Sequence, residues 1–166
     1  SYKRLDRAVR ATSIASRTNP LVKLILVGNG GNTAQLRALS ASLGCGGNVI
    51  FSPKISHTQT NDLLSIVDLY MNTNDQSNLS HPVFEAMVAG KPVLSMNDGS
   101  LDGIIESDVT GVLVDPKNCE ALLPEKMLLL AANPEIGRQI GQRAYDSAQA
   151  IFMTWDQKNR LEIREI

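Results

Sequence analysis

The sequence predicts an α/β fold: one parallel sheet with helices packed on both faces. Three observations carry this. Short apolar runs such as LVKLILVG (21–28) and PVLSM (92–96) are bounded by glycine or polar residues, as strands buried on both sides are. The segments between them repeat their apolar residues at helical spacing. Strands and helices alternate along the chain, and parallel strands require such crossovers.

Each element has its own local reason. Residues 4–17 place Leu5, Ala8, Val9, Thr12 and Ala15 on one helical face, and Asn19-Pro20 stops that helix. The run 21–28 is the first strand. Residues 32–43 are helical again, with Leu36, Leu39 and Leu43 inward, and GCGG stops them before the strand NVIFS, 48–52. HTQTNDLLSIV (57–67) reads as a short helix with Thr58 or Thr60 as its cap. DLYMN (68–72) is the third strand, and residues 82–89 form a helix that Gly90 should end in a left-handed conformation. PVLSM (92–96) is the fourth strand, LDGIIES (101–107) a short helix and GVLVD (111–115) the fifth strand. Helical segments at about 118–131, 134–151 and 155–165 complete the chain, with no repeat, low-complexity tract or internal linker.

The 166 residues suffice for one domain with a real core, read as 1–166 with a terminal helix at 155–166. Sixteen basic and 17 acidic residues leave a net charge of −1, which gives no electrostatic footprint for nucleic acid. The two cysteines, Cys45 and Cys119, are far apart and in no metal-binding spacing, which fits a reducing cytosol. No apolar run reaches the ~18 residues of a membrane span. No secretory leader opens the chain. The opening SYKRLDRAVRA enters a helical pattern almost at once, so the chain reads as a piece of a longer protein.

Two stretches could carry chemistry. Gly28-Asn29-Gly30-Gly31 follows the first strand, where glycines let a backbone turn sharply and approach a phosphate. The spacing is neither a dinucleotide fingerprint nor a Walker loop, and a plain strand-to-helix turn explains it equally well. The second is TNDQSNLSHPVFEAMVAGKPV, 73–93. Pro82 suits a first helical turn, and the free amides of residues 78–84 make an anion site beyond the third strand. Glu85 follows just inside. It is either a charge complementing the helix dipole, worth roughly 0.3–1 kcal/mol, or a hook for a vicinal diol such as a ribose. Lys3 and Arg4 open the first helix, where cations are disfavoured by the dipole; solvated charge explains them by spacing alone, and a bound phosphate is the alternative. His57 and His81 read as solvated loop histidines, Asp98 and Asp102 as turn residues, and Trp155 as packing.

In order, KRLDRAVRA, LVKLILVGNG, NVIFSPKI, TNDLLSIVDLYMNTN, NLSHPVFEAMVAGKPVLSMNDGS, TGVLVDP and FMTW resemble the C-terminal, nucleotide-sugar-binding domain of retaining family 4 glycosyltransferases. The match spans nearly the whole chain, and FEAMVAGKPV is its most specific segment. The resemblance implies a three-layer, Rossmann-like, doubly wound sheet that is half of a GT-B architecture. It implies metal-independent transfer, without cofactor, of a hexosyl unit from a nucleotide-diphospho-sugar to a glycan or lipid-linked acceptor held by an N-terminal domain. A cytoplasmic setting follows, peripheral at the inner face of the membrane through that other domain.

The resemblance also assigns residues. Glu85 matches the second acid of the E-x7-E motif and would hold the donor ribose. Lys3 would neutralise the donor phosphates. Asn78, Leu79 and Ser80 match the loop whose amides meet sugar and phosphate. Ser52, Pro53, Lys54 and Ile55 match the base-pocket stretch, and Gly28 to Gly30 the glycine turn beside the phosphates. The first acid of the motif is replaced by Ser77, with Asp75 the acid near it. The family's central first strand, which carries an arginine partner to the lysine, lies before residue 1. A gap at the sheet centre, or a strand supplied from elsewhere, is therefore expected. The donor domain alone would bind nucleotide weakly and catalyse nothing. Two other readings remain: a GT-B nucleotide-sugar 2-epimerase, which FEAMVAGKPV fits less well, and a non-catalytic scaffold, which Ser77 keeps open. A flavodoxin-like receiver would need an acidic pair where the glycines stand.

Overall fold

The structure, a computed structural model, describes residues 3–75 and 81–151. Along them run α1 (Leu5–Thr18), β1 (Leu24–Val27), α2 (Thr33–Ser42), β2 (Val49–Ser52), α3 (His57–Ile66), β3 (Tyr70–Asn72), α4 (His81–Val88), β4 (Val93–Met96), β5 (Val112–Val114), α5 (Cys119–Ala132) and α6 (Pro134–Ile151). Every strand pair is parallel: Leu24 lies opposite Val49, Tyr70 opposite Val93, and Leu94 opposite Val112. The strands form two sheets, β1–β2 and β3–β4–β5. The expected gap at the sheet centre is present: among the described strands, β1 pairs only with β2 and β3 only with β4.

One helix joins the two sheets. Ala8 and Val9 of α1 pack with Leu24, Leu26, Leu36, Cys45 and Val49. Ala11 and Ala15, further along the same helix, pack with Leu94, Met96, Val112, Val114 and Leu123. Small side chains at these positions let α1 lie close to α5 and to β1, and Met71 of β3 packs against both clusters. The opposite layer is built from Val83, Ala86 and Met87 of α4 with Ala144 and Ala148 of α6, over Val93. Strand alternation explains the split: Val93 faces one layer and Leu94 the other. β4 is buried along its whole length, as a central parallel strand should be. Burying a side chain such as Leu94 or Met87 contributes roughly 1.5–3 kcal/mol.

Two local expectations are corrected. α3 is capped by Ser56, not by Thr58 or Thr60. The Ser56 hydroxyl accepts from the Gln59 amide at 3.2 Å, and the Gln59 side chain returns to the Ser56 amide at 2.9 Å. Thr60 donates instead to the Ser56 carbonyl at 3.0 Å. Residues 101–107 are not a helix. Gly103, at φ +76°, breaks the stretch into turns, and Asp108, at φ +63°, turns the chain just beyond it. The end of α4 follows expectation: Gly90 has φ +68°, its amide reaches the Met87 carbonyl and the Lys91 amide reaches that of Ala86, both at 2.9 Å. That double bond pattern is a Schellman motif. The terminal helix expected at 155–166, with Trp155, lies outside the described residues.

Candidate functional site

The parallel strands all present their carboxyl ends to one side, where ligands bind in such sheets. Glu85 is placed there by α4. Val83, Ala86 and Met87 are fully buried on the inner face of that helix. One position round, Glu85 falls on the flank, with its side chain 33% exposed. Its Oε1 lies 3.6 Å from Nδ1 of His57, at the start of α3, and His57 is itself largely solvated. The Tyr70 phenol of β3 lies on the buried side. Burial, and then the Glu85 charge, push its pKa up to about 12. The carboxylate therefore has an open imidazole at 3.6 Å and its charge is felt by a phenol that stays protonated.

Lys3 is tied to the same region from the other direction. The buried hydroxyl of Thr73, just past β3, donates to the Lys3 carbonyl at 3.0 Å. Arg7, one turn into α1, donates to the Thr73 carbonyl at 3.2 Å and lies 2.7 Å from Oδ1 of Asp75. Arg4 lies 3.3 Å from the same Asp75 oxygen and 3.2 Å from Asp6 Oδ1. The hydrogen bond to Asp6 and then its charge raise the Arg4 pKa further. Burial pushes the Asp6 carboxyl up, but the Arg4 hydrogen bond and charge outweigh it and hold the group below its usual value. Lys3 is exposed, and among the described residues no carboxylate pairs with its ammonium. The charge at the helix start thus divides: Arg4 is neutralised within the protein, and Lys3 faces solvent beside the end of β3.

Asp75, the acid nearest Ser77 in sequence, is committed to Arg4 and Arg7. Ser77, Asn78, Leu79 and Ser80 lie outside the described residues. The glycine turn joins the first two strands: Gly28, at φ +114°, donates its amide to the Ser52 carbonyl at 3.0 Å. Only Gly28 needs this conformational freedom. Gly30 serves instead as an acceptor, its carbonyl taking both the amide and the hydroxyl of Thr33 at 3.1 and 2.8 Å. A Cβ on Gly28, Gly30 or Gly31 would meet nothing within 4 Å, so the turn is open. Ser52 donates to the Pro53 carbonyl at 3.2 Å, Lys54 is exposed and Ile55 half-buried. The stretch 52–55 leads straight into Ser56 and His57, and so reaches Glu85.

Sequence reasoning passed over His57, Tyr70, Thr73 and Arg7. No spacing signal links them to Glu85 or Lys3, because they converge only through strand order. Among the described residues there is no cluster of three metal-ligating side chains, and no helix is long and apolar enough to cross a membrane.

The fold is the Rossmann-like half of a GT-B architecture, and comparison places it in a family. The model for "Glycosyl transferases group 1" matches residues 1–147, so the chain belongs to that family. It is 31% identical over 133 residues to the mouse (Mus musculus) GDP-Man:Man(3)GlcNAc(2)-PP-Dol alpha-1,2-mannosyltransferase, covering 74% of this chain and 27% of that protein. It superposes with TM-score 0.80 and 19% identity on the C-terminal domain of a glycosyl transferase group 1 family protein (LpcC) from Francisella tularensis, covering 90% of this chain and 79% of that one. Anabaena Alr3699/HepE, solved in complex with UDP-glucose, gives TM-score 0.83 at 21% identity, covering 98% of this chain and 45% of that one. The chain spans 27 to 34% of the length of the curated relatives it matches.

Proposed function

We propose that this chain is the donor-binding half of a retaining glycosyltransferase. It would take a nucleotide-diphospho-sugar at the carboxyl ends of β1 to β4, while an acceptor-binding domain of the same protein presents a glycan or lipid-linked acceptor across the cleft. The observation that carries this is Glu85: a partly open carboxylate in the second turn of α4, at the strand ends where the exposed Lys3 also lies with no carboxylate partner among the described residues. The carboxylate suits the two hydroxyls of a ribose. Lys3 suits the diphosphate, the Gly28–Gly30 turn leaves room beside it, and Ser52, Lys54 and Ile55 line the approach for the base.

The chemistry is loss of a nucleoside diphosphate from the anomeric carbon, with charge developing on the β-phosphate oxygen. Lys3 and the amides at the start of α4 would stabilise that charge electrostatically, in place of a metal. Residues 77–80, by sequence the last before α4, are assigned to the sugar on the family pattern. The mouse relative uses a GDP-sugar by its name and the Anabaena protein was solved with UDP-glucose, so both bases belong in the test. Work near the inner face of a membrane fits a lipid-linked acceptor.

Titration of the full-length protein with UDP, GDP and ADP, wild type against Glu85→Ala, tests the site. One nucleotide should bind, and the variant should weaken it about tenfold or more, as loss of a charged hydrogen-bond acceptor does. Equal affinity of the two proteins would remove Glu85 from the site.

A further inference from the structure

We infer that His57 and Glu85 act together on one ribose hydroxyl: the carboxylate accepts its proton, and the Nδ1–H of His57 donates to its oxygen. His57 is then a specificity-determining residue, through which the protein tells a ribonucleotide from its deoxy analogue. The inference rests on the donor-site reading above and deepens it with a residue to which the resemblance gives no role.

The two side chains come from different elements, and each is fixed by its neighbours. His57 is the first residue of α3, directly after the Ser56 cap. The reciprocal bonds between Ser56 and Gln59, at 3.2 and 2.9 Å, hold the backbone there. Glu85 is held by α4, whose Val83, Ala86 and Met87 are fully buried. The result is a separation of 3.6 Å between Nδ1 and Oε1. A carboxylate only accepts hydrogen bonds, so the tautomer that suits this pairing carries its proton on Nδ1. Yet 3.6 Å exceeds a hydrogen bond, and the two atoms do not satisfy one another. A hydroxyl placed between them does so. It donates to the carboxylate and accepts from the imidazole, and its oxygen can lie at hydrogen-bonding distance from both atoms.

Access and position both favour a ligand hydroxyl. The His57 side chain is 75% exposed and that of Glu85 33%, so the gap between them opens to solvent. Among the described residues, no hydrogen bond engages either ring nitrogen of His57. The stretch 52–55, assigned above to the base, runs through Ser56 into His57, and in a nucleotide the ribose follows the base. Lys3, assigned to the phosphates, is tied instead to Thr73, past β3. His57 therefore falls at the sugar of the nucleoside rather than at its phosphates. The Glu85 charge beside it also argues against a phosphate contact, because a carboxylate repels an anion at this range. An ion pair this exposed contributes little to the fold, so a change at His57 reads out binding rather than unfolding.

The experiment is calorimetry on the full-length protein with a nucleoside diphosphate and its 2′-deoxy and 3′-deoxy analogues, UDP or GDP according to which the wild type binds. Wild type should prefer the ribonucleotide to one of the two analogues by about threefold or more, the scale of one hydrogen bond. His57→Ala should weaken the ribonucleotide by about three- to tenfold and leave that analogue within about twofold. His57→Asn keeps an N–H close to the place of Nδ1 and should recover most of the loss. Equal losses for all three nucleotides would make His57 a general electrostatic contact, and no loss would remove it from the site. Either result overturns the inference, as does an asparagine variant no better than alanine. Thermal melting checks that both variants keep the fold, and the wild-type preference needs no variant. If the wild type binds neither nucleotide, or binds all three forms alike, or if Glu85→Ala leaves binding unchanged, the ribose reading itself fails. If Glu85→Ala weakens binding and the His57 variants do not, only the role of His57 fails.

Discussion

Replacing Gly141 with alanine should partly undock α6 from the turn that closes α4, whereas the same change at Gly137, one turn earlier, should stabilise the protein. Alanine gains about 1 kcal/mol over glycine in a helix interior at either position. At Gly137 the new methyl group would lie 3.8 Å from Pro92 Cγ and 4.0 Å from Leu130 Cδ2, ordinary contacts. At Gly141 it would fall 2.9 Å from the carbonyl carbon of Gly90 and 3.3 Å from Pro92 Cδ, and closer still to the Gly90 oxygen than a Cβ can approach. Relief means moving α6 by about an ångström, and a gap of that size forfeits a quarter to a half of each dispersion contact along the seam. That seam includes Ala144, Ala148, Val83 and Met87, all fully buried. Overpacking of this kind costs about 1–3 kcal/mol or more, which exceeds the helix gain. Gly141→Ala should therefore be less stable than wild type by up to about 2 kcal/mol, and Gly137→Ala more stable by up to about 1 kcal/mol. The two melting temperatures should then differ by up to about 6–12 °C. Urea unfolding followed by circular dichroism measures both. Equal stability of the two variants would refute the close approach of α6 to Gly90. Because Gly90 ends the helix that carries Glu85, Gly141→Ala should also weaken nucleotide binding.

Two further outcomes follow from buried groups. Burial, and then the Glu85 charge, push the Tyr70 phenol up to about 12 in the folded protein, from an ordinary value of about 10. A raised acid pKa means stability present below pH ~10 and lost as the pH climbs towards ~12, by roughly 2–3 kcal/mol, and Tyr70→Phe should flatten that part of the curve. In Glu85→Ala the phenol, followed by absorbance, should titrate lower but still above 10.0, since burial is the larger cause; an unchanged titration would separate the two residues. Cys45 is buried, and desolvation raises its thiol pKa. It should resist alkylation until the protein unfolds, and rapid labelling of the native protein would show that α1 lifts away from β1 and β2.

Much of the architecture was legible because local rules and tertiary demands agree. Apolar runs closed by glycine became strands, the Ala8–Ala15 face of α1 became the joint between the sheets, and Gly90 ended α4 in the left-handed form expected of it. The errors fell where several local signals compete. Three hydroxyl residues compete to cap α3, and the capping box with Gln59 selects Ser56. LDGIIES has helical spacing, but Gly103 breaks it at a positive φ.

The candidate site divides along the same line. Glu85, Lys3 and Gly28 could be named from the sequence because each sits at a helix start or a strand end, and those positions are set by neighbours within a few residues. What surrounds them could not. His57 lies 3.6 Å from Glu85 and Arg7 2.7 Å from Asp75, across 28 and 68 positions of chain. The sequence by itself determined the elements, their order and the acid in the second turn of α4. Only the tertiary structure decided that Arg4 is neutralised, that Lys3 meets no carboxylate among the described residues, and that Asp75 binds arginine. Ion pairs between distant residues carry no periodicity along a chain; they exist only once the fold brings those charges within a few ångströms.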